Sequence, residues 1–184
     1  MSSTPANPDV FKPQSGRKVA ILDTNNMPVT LGQSGVIAIN ADDQGFMLGY
    51  QGQDTPISDG WFLTGDQGQM DENGHITYLG RADDMMNAGG YRVSPLEVEA
   101  AMSTLTNIGE CAAVAVQIKA DVEVIALFFT GAADEQTMRA HAEDHLAHYK
   151  CPRLYIARDV LPKGANNKLL RKVLRAEFSE TRHG

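Results

Sequence analysis

Three groups of side chains in this chain have types and spacings suited to chemistry. In YLGRADDMMNAGGYRVSPLEVE, two adjacent acids, Asp83 and Asp84, are followed by a glycine pair, Gly89 and Gly90. Carboxylates there can accept hydrogen bonds or exchange partners, and the glycines let the backbone reach positive φ or approach a ligand closely. A tight turn alone would use the glycines but would need no charge. A second group, Lys163, Lys168, Arg171, Lys172 and Arg175, lies near the end of the chain. Such cations can hold phosphate or carboxylate, or simply match the dipole at the wet C-terminal end of a helix. The third is His141, His145 and His148, at i, i+4 and i+7 of one expected helix face. That spacing can hold zinc, but HAEDH lacks the Glu directly after the first His that a metalloprotease motif requires, so a solvated face is the better reading and no metal site is assigned. NAGGYR can cradle an anion with backbone N–H groups but lacks the Lys-Ser/Thr that completes a Walker loop.

The elements that must position these groups change character along the chain. KVAILD, GVIAIN, WFLTGD, QGQM and HITYLG read as short antiparallel strands of a small sheet or barrel, with DENG as a hairpin turn. Beyond them, Ser94 and Pro95 predict a helix start, with Leu96, Val98, Met102 and Leu105 at helical spacing. CAAVAVQI and EVIALFFTG read as strands, ADEQTMRAHAEDHLAHY as a helix stopping before Pro152, RLYIARDV as a strand and NKLLRKVLRAEF as a final amphipathic helix. The pattern predicts an α+β protein: a β-rich, barrel-like piece over residues 1–80, a joint at 81–84, and a compact α+β domain with a small sheet flanked by helices over 85–184.

Bulk composition limits the partners. The 184 residues are 42% hydrophobic and 21% charged, enough for a sizeable core, and carry a formal charge of −7 that opposes binding to nucleic acid. No apolar run reaches membrane-spanning length, and MSSTPANPDVFKPQSG has the pattern of neither a signal nor a transit peptide, so a cytoplasmic setting is expected. Cys111 and Cys151 are too few for a disulfide framework and too distant for a zinc motif, and are expected to be idle thiols.

Three fragments occur in order at spacings that resemble the adenylate-forming superfamily of acyl-CoA synthetases, peptide-synthetase adenylation domains and beetle luciferases. GWFLTGD is similar to the family's Tyr/Trp-x-x-Thr-Gly-Asp segment. YLGRADDMMNAGGYRVSPLEVE is similar to its Gly-Arg-x-Asp hinge and Gly-rich loop, and LPKGANNKLLRKVLR to its closing Pro-Lys-x-x-x-Gly-Lys-x-x-Arg motif. FKPQSGRKVAILDTNNMPV and GFMLGYQG resemble the barrel-like subdomain that precedes these motifs.

The resemblance implies a role for each matched residue. Asp66 would accept hydrogen bonds from both ribose hydroxyls of ATP or AMP, because a carboxylate is a fork of acceptors that suits a vicinal diol. Arg81 would add a donor on the ribose side. Lys168 would stabilise the transition state in which a carboxylate attacks the α-phosphate, with Mg²⁺ sharing the charge of the leaving pyrophosphate. Asp83 matches the hinge about which the C-terminal domain swings after adenylate formation. Gly89 and Gly90 would then face CoA, leaving room for its pantetheine arm, and Arg92 would steady that arm or the loop.

Two departures stand out: Leu63 replaces an Arg that often precedes Thr-Gly-Asp, and Asn167 replaces the usual Gly before the lysine, where Asn is the residue that best tolerates left-handed dihedrals. The family's phosphate loop, adenine motif and acyl pocket have no counterpart here. The resemblance therefore implies a C-terminal fragment of a roughly threefold longer ligase, inactive alone, whose partner is the missing N-terminal domain and whose β-rich remnant favours a homodimer through an exposed apolar face. A free-standing acyl- or aryl-CoA synthetase fits better than an adenylation domain serving a carrier protein, since the loop lacks Gln-Val-Lys and Leu170 stands where such domains have Asp. A non-catalytic interaction module of the same fold is the remaining alternative.

Overall fold

The computed structural model describes residues 2–4, 7–43, 46 and 57–181, with side chains from Val10 to Glu180. Of the GFMLGYQG segment only Phe46 falls among them. The chain divides into two compact units, Met1–Asp83 and Asp84–Gly184.

The first unit is an antiparallel sheet of β1 (Ser2–Thr4), β2 (Asn7–Lys12), β3 (Val19–Leu22), β4 (Ser34–Asn40), β5 (Ile57–Ser58), β6 (Trp61–Met70) and β7 (Ile76–Arg81). Its order is β1-β2-β7-β6-β4-β3, with β5 also on β6, an open path among the described residues. Period-two alternation puts Ile21, Ile37 and Ile76 on one face as a small core, against which Phe11, Val19 and Tyr78 pack. Met27, Leu31 and Ile57 remain exposed. DENG forms the β6–β7 turn as expected. Asp71 Oδ1 accepts from the N–H groups of Asn73 and His75, at 2.9 and 2.8 Å, and Gly74 takes φ +74°.

The second unit opens with a short hairpin, β8 (Met86–Ala88) and β9 (Tyr91–Val93), then α1 (Pro95–Met102), β10 (Ile108–Lys119), β11 (Val122–Gly131), α2 (Glu135–His145), β12 (Leu154–Ala157) and α3 (Arg171–Thr181). β10 pairs antiparallel and β12 parallel with the central β11. The continuous apolar runs of β10 and β11 are explained by burial on both faces. Ala113, Ala115, Ile125, Leu127 and Phe129 meet α1, α2 and the hairpin through Val98, Met102, Met138 and Met86. Ala112, Val114, Ala126 and Phe128 meet Leu161 and, from α3, Leu174. Ser94 caps α1 as its type predicts, its Oγ accepting from the Glu97 N–H at 3.3 Å.

Three boundaries differ from the sequence expectation. The helix expected through Tyr149 stops at His145, because Leu146 turns to extended dihedrals and packs into the core; a separate 3₁₀ turn, His148–Lys150, follows. The glycine-pair stretch, expected as a loop, is the β8–β9 hairpin. The last helix, expected from Asn167, starts at Arg171, so the basic cluster lies before and within the first turns of α3 and not at a helix C-terminus. No helix among the described residues is long and apolar enough to cross a membrane.

Candidate functional site

Asp66 is set by a distortion of β6. Val36 of β4 pairs with Gln67, and Ala38 with Leu63, so Ile37 alone faces Thr64, Gly65 and Asp66. The Thr64 hydroxyl fills that gap, donating to the Ile37 carbonyl at 2.8 Å and accepting from the Asp66 N–H at 3.1 Å. Such bulges re-aim side chains, and here the result is that Asp66 meets its register partner across β7, Arg81. Nη1 of Arg81 lies 3.1 Å from Asp66 Oδ1 and donates to the Thr64 carbonyl at 3.2 Å, while its Nε is 3.7 Å from Asp83 Oδ1. Gly65 makes the arrangement possible: at φ +76°, a Cβ there would stand 2.9 Å from Arg81 Nη2. Thr64 and Gly65 are positioning residues that residue-type reasoning passed over; the Thr-Gly preceding Asp66 was the available signal. The cluster gathers a half-exposed acceptor fork and a guanidinium, donors and acceptors suited to a diol beside an anion.

The remaining matched residues lie in the second unit. Gly89 and Gly90 form the two-residue turn of the β8–β9 hairpin, both left-handed at φ +58° and +86°, as a type I′ turn requires. Among the described residues, nothing stands within 4 Å of a Cβ built at either glycine. The tight-turn requirement therefore accounts for the backbone, and the space over the turn is open. Arg92, in β9, is exposed. Tyr91 packs against Tyr149 with ring centroids 4.6 Å apart and planes tilted by 31°.

Lys168 sits in a tight loop closed by the antiparallel pair Lys163 and Leu169. The Gly164 N–H donates to the Lys168 carbonyl at 2.8 Å, the Asn167 N–H to the Gly164 carbonyl at 3.0 Å, and Asn167 takes φ +57°. Asn thus occupies the left-handed position without glycine. The basic cluster then separates by function. Lys163 pairs with Glu110, Arg171 with Glu99 and Asp84, and Arg175 Nε donates to the Ala115 carbonyl. Lys168 is exposed and, among the described residues, its amine has no hydrogen-bond or ion-pair partner.

The two adjacent acids have different surroundings. Asp83 is exposed beside Arg81, whereas Asp84 is mostly buried, 3.5 Å from Arg171. Burial pushes the Glu99 carboxyl up from its ordinary value, and the Arg171 guanidinium and the Ala113 N–H offset only part of that.

The histidines do not form a metal centre. His141 and His145 stack at 4.0 Å and bond backbone, His145 Nδ1 donating to the His141 carbonyl, and His148 lies beyond the end of α2. Among the described residues, no three His, Cys, Asp or Glu side chains cluster as metal ligands would, so they provide no all-protein cage for a metal ion. Both thiols are free. Burial, then the nearby Glu99 charge, pushes Cys111 up to about 12. At pH 8 native Cys111 is therefore expected to react with iodoacetamide at least about tenfold slower than an ordinary thiol, with labelling restored on unfolding. Mass-spectrometric time courses check this, and rapid native labelling would contradict it.

Residues 97–168 match the family described as AMP-binding enzyme C-terminal domain. The long-chain-fatty-acid–CoA ligase of Bacillus subtilis is 39% identical over 131 residues, covering 69% of this chain and 23% of that protein. The anthranilate CoA ligase AuaEII in complex with anthranoyl-AMP superposes with a TM-score of 0.83 at 26% identity, over 95% of this chain and 36% of that one. The o-succinylbenzoate coenzyme A synthetase of Bacillus subtilis, in complex with ATP and magnesium ion, gives 0.76 at 25% identity, over 88% and 34%. The chain spans about a third of the length of the curated relatives it matches. On these matches the chain carries, over residues 97–168, an AMP-binding enzyme C-terminal domain, and over most of its length it is similar to CoA ligases.

Proposed function

We propose that this chain is the mobile C-terminal part, preceded by a piece of the large domain, of an acyl- or aryl-CoA synthetase. In the first half-reaction a carboxylate oxygen attacks the α-phosphorus of ATP, the α–β bridging P–O bond breaks, and pyrophosphate leaves. Two anions must approach one another, and the Lys168 ammonium offsets their repulsion most strongly as charge builds in the transition state. Asp66 accepts the ribose hydroxyls, and Arg81 donates beside them. In the second half-reaction the thiol sulfur of CoA, losing its proton, attacks the acyl carbon and AMP leaves. Residues 81–84 are the hinge, with Asp83 as pivot. Turning there withdraws Lys168 and brings the Gly89-Gly90 turn, with Arg92 beside it, to the pantetheine arm.

The observation that carries this reading is the state of Lys168. In a basic segment whose neighbours Lys163, Arg171 and Arg175 are engaged, its amine alone of these four is exposed without a partner among the described residues, at a turn closed by backbone hydrogen bonds. The magnesium and ATP in the o-succinylbenzoate synthetase structure support Mg²⁺ as the ion on the phosphates, supplied with the rest of the ligase.

Turnover of the full-length ligase with ATP, CoA and a panel of carboxylic acids tests the proposal. The expected products are one AMP and one pyrophosphate per thioester, and the 184-residue chain alone is expected to give none. ADP and phosphate as products, or nucleotide consumption without a thioester for any acid, would overturn it.

A further inference from the structure

Arg171 is placed against the electrostatics of its own helix. It opens α3, whose first turn contains no acidic residue, so its charge faces the positive end of the helix dipole. Its side chain is only 12% exposed. What holds it comes from two other segments. Nη2 donates to both carboxylate oxygens of Glu99 in α1, at 2.8 Å each, and Nη1 lies 3.5 Å from Oδ2 of Asp84. Glu99 Oε1 also accepts from the Ala113 N–H at 2.8 Å, which fixes the carboxylate to β10.

Chain order gives this contact its meaning. Asp84 directly follows Asp83, Glu99 lies in the helix that follows the glycine hairpin, and Arg171 comes three residues after Lys168. The Leu170 N–H, beside Arg171, donates to the Pro162 carbonyl at 2.9 Å and closes the base of the lysine loop. One guanidinium therefore joins the last residue of the joint, α1, and the base of the loop that presents the amine. A buried ion network is weak evidence for stability, since apolar groups of equal volume pack as well, but a rigid planar guanidinium that meets two carboxylates through separate nitrogens fixes a single geometry.

We propose that Arg171 is a positioning residue for Lys168: by clamping Glu99 and Asp84 it locks the base of the lysine loop to the exit of the hinge, so that the setting of the pivot determines where the amine stands. This rests on the reading of Lys168 given above. Arg171 itself contacts no substrate in this scheme.

Two variants test the clamp without leaving the Glu99 carboxylate buried and unpaired. Arg171→Lys keeps the charge and loses the fork. Arg171→Met combined with Glu99→Gln removes both charges and keeps an acceptor for the Ala113 N–H. In the 184-residue chain, the amides of Gly164, Asn167 and Leu170 are expected to exchange about tenfold faster in both variants, while those of β11 keep their protection. Unchanged loop amides, or loop and sheet loosening together, would overturn the proposal. In the full-length ligase the same variants are expected to lower kcat for acid-dependent pyrophosphate exchange about tenfold or more, with KM for ATP within about twofold and thioester formation from supplied acyl-adenylate within about threefold. Equal losses in both half-reactions would mark a merely structural residue. If Lys168→Ala left exchange intact, the reading of Lys168 would fail, and the amide measurement would still decide the clamp.

Discussion

Replacing Lys168 by alanine in the full-length ligase is expected to cut acid-dependent pyrophosphate exchange about a hundredfold to a thousandfold, roughly 3 to 4 kcal/mol of transition-state stabilisation, and to leave thioester formation from supplied acyl-adenylate near its original rate. The amine has no partner among the described residues, so its removal strands no buried charge. The hydrogen bond at this residue uses its carbonyl, which alanine keeps. Stability should therefore shift by no more than about 0.5 kcal/mol, as for an ordinary surface substitution. Initial rates of pyrophosphate exchange and of CoA transfer on the same preparation check this. An equal fall in both would remove Lys168 from its assigned role.

Gly90→Ala is expected to do the reverse. Among the described residues nothing within 4 Å obstructs the new methyl group, so the direct cost is backbone strain at φ +86°. For a single non-glycine residue that is about 1 to 2 kcal/mol, which a domain stable by roughly 5 to 15 kcal/mol absorbs. The methyl projects into the open space over the hairpin turn, where the pantetheine arm is proposed to pass. A misplacement of the order of 1 Å can cost about a hundredfold, so transfer should fall by roughly tenfold to a hundredfold while pyrophosphate exchange stays within about threefold. Were the glycine pair only a turn, the substitution would lower both half-reactions by the same modest factor or neither.

Much of this architecture is legible in residue types because the relevant forces are local. The Ser94-Pro95 helix start, the Asp71 turn and the doubly buried strands β10 and β11 follow from capping, turn chemistry and apolar runs that short windows contain. The elements that escaped depend on tertiary context. NKLLRKVLRAEF carries helical periodicity from its first residue, yet its opening residues close a hairpin loop, because the Leu170 N–H bonds the Pro162 carbonyl and Asn167 is left-handed. Leu146 leaves the helical path because packing into the core outweighs one more turn of α2. At the site, Asp66 and Arg81 stood out by motif, but that they are register partners follows from a β6–β7 ladder that spacing alone does not define. The separate partners of Asp83 and Asp84 were invisible for the same reason: Arg171 is 87 positions from Asp84 in sequence and meets it only through the packing of α3 against the sheet. Gly65 escaped because its requirement is the volume of a side chain on the neighbouring strand.

The central claim is that one chain carries separate equipment for two half-reactions, an amine for adenylate formation and a glycine turn for thiol transfer. The most direct measurement is the ratio of the single-turnover rates of adenylate formation and CoA transfer, taken for the unmodified full-length ligase, Lys168→Ala and Gly90→Ala under one set of conditions. The account predicts that the ratio falls at least about a hundredfold for Lys168→Ala and rises at least about tenfold for Gly90→Ala. A ratio that stays constant across all three proteins, whatever their overall rates, would contradict it.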